Sequence, residues 1–361
     1  MDFGLPSEVT QSEIKEIQNR MANALEALAS SEDVVDIWGT PGNNYLRAGD
    51  RQAGLLDFVL AADFINGTDL ATSLGLTAGT AINSESPWIK YIYDNKICFT
   101  PVRPLRYNLS HDSIYEVGAV YGTGGIGTLP PEGRLGSELE ITDATTITTT
   151  GNFQGDKTSG DNYYDTVGAA GDTIVLSGWD NSENNGEFTI DTISDTTITI
   201  VEGGLTAEVG DRTKKLWPKV NEVNQDAEVT IGSHTFKVRL MRGAANDPVN
   251  SYADSDRGSI GDDNEYNQII LPLHERAKLQ DWNYPEFAGN TEYWKTDLSD
   301  EDFILHNDFG YGSYRWCQEV RDDDETFRRV LRGSYGSSYL GAYYSWNAKT
   351  LRGWAPVLEL V

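Results

Sequence analysis

The segment Ala227 to Leu240 reads Ala-Glu-Val-Thr-Ile-Gly-Ser-His-Thr-Phe-Lys-Val-Arg-Leu, alternating on both sides of Gly232-Ser233. A period of two commits a chain to strands, because a slip of one residue turns every side chain to the wrong face. With Gly-Ser as its turn, the segment is predicted to be a hairpin. Pro87 to Tyr93 alternates as well, Asp94-Asn95-Lys96 supplies a turn, and Ile97 to Val102 is a second strand. Asp172 to Trp179 and Thr196 to Val201 are predicted strands, and Asn184-Asn185-Gly186 is predicted to be a hairpin turn leading into a strand through Ile190. Leu55 to Phe64 is apolar and fits a strand or a helical turn. Ser110-His111-Asp112-Ser113 opens a short helix that runs through Tyr115 and Val117 and ends near Gly118. The fold class that follows is α+β, mainly antiparallel β.

Helical periodicity is strong only in residues 7–31. Ser7 is a candidate N-cap, and Ile14, Ile17, Met21, Leu25 and Leu28 recur at spacings of three and four. The seam is about two heptads long. It fits either a helix packed on its own domain or an anchor that bundles three copies or docks on another protein.

Charge and composition remove several function classes. Acidic residues number 56 against 28 basic, a formal net charge of −28. Counterion release from nucleic acid needs a basic face, so nucleic acid is not an expected partner, and an anionic membrane surface is disfavoured on the same ground. No apolar run approaches the roughly 20 residues of a membrane span. The N-terminus, Met1-Asp2-Phe3-Gly4-Leu5-Pro6, has neither the basic nor the apolar region of a signal peptide. Cys98 and Cys317 are the only cysteines, which is no disulfide framework and fits assembly in a reducing cytoplasm.

Three aromatic-and-glycine blocks close the chain. They are Gly312-Ser313-Tyr314-Arg315-Trp316-Cys317-Gln318-Glu319, Arg329-Val330-Leu331-Arg332-Gly333-Ser334-Tyr335-Gly336-Ser337, and Leu351-Arg352-Gly353-Trp354-Ala355-Pro356-Val357-Leu358-Glu359-Leu360. Their order resembles the formylglycine-generating-enzyme-like branch of the C-type lectin fold, as carried by phage and retroelement-diversified adhesins of the major-tropism-determinant kind. The resemblance covers residues 86–138 and 213–361. Between them the composition shifts to Thr, Asp, Gly and Ile, and Ser177-Gly178-Trp179-Asp180 with Asn184-Asn185-Gly186-Glu187-Phe188 resembles a small β-module of phage tail proteins. The expected organisation is therefore an N-terminal helix or anchor (1–33), a mixed β region that starts the lectin-like body (34–138), an inserted β-module (139–212), and a C-type-lectin-like domain (213–361).

What the resemblance implies is a virion structural protein of the tail or fibre, assembled in the host cytoplasm, that attaches to a host-cell receptor, glycan or protein. A homotrimer among other virion proteins is expected from the Ile14-to-Leu28 seam and from the avidity of multivalent display, and no cofactor, metal or enzyme activity is expected. The alternative is a decoration, head-fibre or adaptor subunit that only bridges other virion proteins. In the resembling adhesins the variable contact residues lie where this chain has Tyr335, Ser337, Tyr339, Tyr343, Tyr344, Trp346 and Asn347. Tyrosine adds contact area at low entropic cost, and Ser and Gly add adaptability. Trp316 and Trp354 are expected in the core, and Cys317 as a small core residue without a second cysteine for redox chemistry. The four histidines, His111, His234, His274 and His306, are scattered and are expected as surface or capping residues. Asp180, Ser182 and Asn184 alternate like Ca²⁺ ligands, but no Glu closes the loop. Asp322-Asp323-Asp324-Glu325 reads as a solvated run. Paired carboxylates that could cut polysaccharide cannot be singled out among so many acids.

Overall fold

The structure, a computed structural model, describes residues 39–127, 134–135, 138–150, 153, 168–211, 213–219, 221–244, 249–250, 264–274, 294–296, 298–303, 312–323, 326–333, 340–343, 345 and 348–361. The predicted N-terminal helix, with Ile14, Ile17, Met21, Leu25 and Leu28, lies outside them.

Three sheets, built mostly from antiparallel pairs, organise the chain. The first runs in the order Ala48–Gly49, Ala53–Val59, Trp88–Tyr93, Lys96–Pro101, Val357–Leu360, His234–Arg239 and Glu228–Ile231. Both predicted hairpins belong to it. Asp94 (φ 49°) and Asn95 (φ 61°) form the turn of one. Left-handed backbone at both central positions matches the twist of the flanking strands, and Asn and Asp tolerate it. Gly232 (φ 60°) takes the first central position of the other. The C-terminal strand joins the two hairpins: Leu358 stands opposite Phe99 on one side and Val238 on the other.

Alternation sends the two faces of this sheet into different cores. Trp88, Ile97, Phe99, Phe236, Val238, Leu358 and Leu360 enter one. Ile89, Tyr91, Tyr93, Cys98 and Val357 enter the other, against Tyr266, Ile269, Ile270 and Leu273 of the helix Glu265–Leu273. Leu55 and Leu56 bury in opposite cores, as consecutive strand residues do, and the register shift between Leu55 and Asp57 leaves Leu56 as the extra residue of a bulge. The apolar run from Leu55 to Phe64 is thus the strand Ala53–Val59 followed by a 3₁₀ turn at Ala61–Asp63.

The second sheet is C-terminal, in the order Leu340–Tyr343, Thr326–Gly333, Tyr314–Asp323, Arg352–Trp354, Arg106–Tyr107 and Thr80–Ala81. Two of its pairings are parallel: Tyr314–Asp323 runs alongside Arg352–Trp354 and alongside Val249–Asn250. Trp316 and Trp354 are fully buried in the first core, as their sequence blocks predicted, and the Trp316 indole donates to the Leu109 carbonyl at 3.0 Å.

Residues 134–218 form the third sheet, with its own core of Ile141, Ile147, Phe153, Ile174, Trp179, Phe188, Ile198 and Leu216 among others. In Thr146–Thr149 and Thr197–Ile200 the isoleucines bury while the alternate threonines stay half-exposed. One face packs and the other meets water. The Asn184-Asn185-Gly186 turn is corrected. Leu176 pairs with Gly186, so residues 177–185 bridge the strands as a long loop containing the 3₁₀ turn Ser182–Asn184. The asparagines tie that loop to itself instead of turning the chain. The Asn185 amide donates to the Trp179 and Asn181 carbonyls, each at 2.9 Å. No described helix is long and apolar enough to cross a membrane.

Candidate binding site

The tyrosine-rich stretch begins beyond Gly333 and ends before Lys349. Of the predicted contact residues the structure describes Tyr343. Tyr335, Ser337, Tyr339, Tyr344, Trp346 and Asn347 lie outside the described residues.

Tyr343 ends the strand Leu340–Tyr343, which pairs with Arg329–Arg332 and stands last in its sheet. Leu340 and Ala342 are buried and Tyr343 is half-buried. The Arg352 guanidinium sits 3.9 Å from the centroid of the Tyr343 ring and 5.7 Å from that of Tyr314. The two tyrosine rings meet edge-on at 5.8 Å and 61°. A cation over one ring and a second ring at its edge fix the orientation of Tyr343, each contact stabilising by about 0.5–1.5 kcal/mol. Tyr343 is thus a held ring with part of its surface open.

Two residues further on, the Ser345 carbonyl accepts the Asp112 backbone N–H at 3.1 Å. Asp112 opens the helix His111–Glu116, which Ser110 caps by accepting the Ser113 N–H at 3.1 Å, as the sequence predicted. Asp112 is buried. Burial pushes its carboxyl up to about 7, against the pull of the Ser345 hydroxyl and of Arg329. The described part of the segment is therefore held at two points, by its paired strand and by the hydrogen bond from the capped helix to Ser345.

Two histidines correct the expectation of surface or capping roles. His111 is fully buried, edge-on to Trp316 at 5.8 Å, and burial together with the Arg329 charge pushes its pKa well down. His274 is also fully buried and stacks on Phe303 at 5.7 Å. Their partners lie far away in sequence, which is why spacing could not reveal them. Both cysteines are buried and unpaired with each other, and burial raises both thiols.

Among the described residues no group of three or more His, Cys, Asp or Glu could hold a metal ion. At the Asp180–Asn184 loop a lysine stands where a cation would. Lys214 reaches Asp180 at 2.8 Å and Glu208 at 3.5 Å. Burial of Glu208 works against its ionisation. The Asp180 and Asn181 N–H groups and the Asn184 and Asn181 amides outweigh that and hold its pKa at about 2.

Sequence reasoning missed one network altogether. Arg239 grips Glu265 with two guanidinium nitrogens, at 2.7 and 2.8 Å, and donates from Nε to Glu359 at 2.9 Å. The Tyr91 hydroxyl and the Arg242 backbone N–H complete Glu265 at 2.8 and 3.1 Å. Glu265 is wholly buried, and each of its oxygens accepts two donors. A satisfied carboxylate of this kind locks the helix Glu265–Leu273 onto the first sheet. It is not a waiting acid or base.

An open cleft of about 520 Å³ is lined by Phe58, Pro87, Val102, Arg103 and Leu298 among others. None of its described lining residues belongs to the predicted contact set. No family model matches the chain, and no curated protein or solved structure is similar to it.

Proposed function

We propose that the chain is a bacteriophage virion structural protein of the tail or fibre that binds a host-cell receptor through a C-type-lectin-like body. The carrying observation is the mounting of the tyrosine-rich stretch. Its strand Leu340–Tyr343 is stitched to Arg329–Arg332, Tyr343 is clamped by Arg352, and Ser345 is bonded to the helix at Asp112. Adhesive loops need such rigid mounts, because ordering a loose loop on binding costs affinity. The C-terminal strand between two hairpins, above a tryptophan-rich core, supports the lectin-like reading. A homotrimer would multiply weak receptor contacts by avidity.

The test is competition for adsorption. Purified protein should block phage attachment to host cells, and a Tyr343→Ala/Trp346→Ala variant that melts like the wild type should need about tenfold more protein to block. Equal blocking by both proteins removes the site. No blocking by either favours the adaptor or decoration role.

A further inference from the structure

Lys90 belongs to the strand Trp88–Tyr93 and is fully buried. Its stem crosses the Phe99 ring, with Nζ 5.6 Å from the centroid. Nζ ends against the loop that enters the body: 2.9 Å from Thr40 Oγ1, 3.0 Å from the Pro41 carbonyl and 2.5 Å from Asn44 Oδ1. Directly across the sheet stands Asp57, its register partner, so the two side chains share a face. The Asp57 carboxylate accepts the Asn43 backbone N–H at 2.7 Å and pairs with Arg47 at 3.1 Å. Gly42 lets the loop lie this close: a Cβ there would fall 2.6 Å from Val59 and 3.1 Å from Asp57 Oδ2. A buried amine and a side-chain amide thus meet, with the Asp57 carboxylate on the neighbouring strand of the same face, where its charge acts on Lys90.

We infer that Lys90 and Asn44 join in an intramolecular isopeptide bond, with Asp57 as the proton carrier. Asp57 takes a proton from the Lys90 ammonium. The neutral Nζ adds to Cγ of Asn44, forming the new C–N bond. The Thr40 hydroxyl, 3.4 Å from Asn44 Oδ1, donates to the oxygen as charge gathers on it. The Cγ–Nδ2 bond then breaks as Asp57 returns its proton to Nδ2, and the second proton of Nζ follows it, so the new amide keeps one hydrogen and the departing group is ammonium. No oxidant, metal or second substrate enters the balance. Burial favours the neutral amine, shifting Lys90 down to about 8 against the opposing charge of Asp57. Amides resist amines in water, but a fixed contact replaces a bimolecular encounter and raises effective concentration by orders of magnitude. A desolvated lysine is the form that acts as a nucleophile. The bond would rivet residues 40–44, where the chain enters the body, to a central strand.

Intact-mass spectrometry of the full chain decides the matter. The crosslinked protein is lighter than its sequence by one ammonia, about 17 Da, and a tryptic digest contains one branched peptide carrying Asn44 and an uncleaved Lys90. Asn44→Ala and Lys90→Met each restore the full mass, and Asp57→Asn leaves a larger unlinked fraction in fresh protein. A wild-type chain at full mass overturns the inference, as does a loss that maps to any other pair. Neither result depends on a variant folding.

Discussion

Asp112 shows how a single residue can tie a neighbouring segment to a titrating group. Its backbone N–H holds Ser345, while its carboxyl is buried and titrates near 7. Unfolded, that carboxyl loses its proton near 3.9. Between these values the folded chain binds the extra proton, so this group's contribution to stability falls as pH rises from about 4 through 7 and is level above that. Asp112→Asn removes the titration and keeps a polar group beside Ser345. Urea unfolding should find the variant more stable than wild type at pH 8, by roughly 1–3 kcal/mol, and the difference should shrink toward pH 4. A difference that does not change with pH would show the carboxyl to be ionised in both states. At this scale the sequence was informative where chemistry is local. Ser110 as a cap follows from type and spacing, and Trp316 and Trp354 as core from the aromatic-and-glycine blocks that carry the resemblance. His111, His274 and the Glu265 network did not, because the groups that bury or satisfy them lie in other elements; Tyr91 and Glu265 are 174 residues apart.

Among the elements, the strand Val357–Leu360 carries the most consequence for its length. Leu358 faces Phe99 in one hairpin and Val238 in the other, and it is fully buried. Leu358→Ala leaves a cavity between them and should cost about 2–5 kcal/mol in chemical denaturation. Val361, largely exposed at the end of the chain, serves as the control: Val361→Ala should change stability by less than about 0.5 kcal/mol. If Leu358→Ala is as mild as the control, the strand does not bind the two hairpins together. Each hairpin could be read from its own residues, since alternation and turn chemistry are both local. Their union was not legible, because the strand that joins them comes from the other end of the chain. The Asn185-Gly186 pair failed for a related reason. Asn-Gly favours a tight turn only when the backbone decides, and here the side chains of Asn184 and Asn185 bond Thr206, Glu208 and Trp179.

At the scale of the whole molecule, three cores divide the work. Two share the first sheet as their common wall, and the third lies entirely within residues 134–218. The chain enters and leaves that third unit through neighbouring strands: Arg134 pairs with Leu216 and Leu135 with Lys215. Paired Cα atoms lie only about 5 Å apart, so a short linker can close the gap that excision leaves. A unit with its own core, joined through adjacent ends, contributes few contacts to the body's folding. Replacing residues 134–218 by a few Gly and Ser residues should leave the body's melting temperature within a few degrees of the full chain. The isolated 134–218 piece should melt in its own cooperative transition. On the proposed function, the shortened chain should also compete for adsorption as well as the full one, since the described strand of the tyrosine-rich stretch belongs to the C-terminal sheet. A body that fails to melt cooperatively after excision would show that the third sheet is part of one folding unit. A folded body that no longer competes would count against the proposed receptor contact at the C-terminal sheet and in favour of the third sheet.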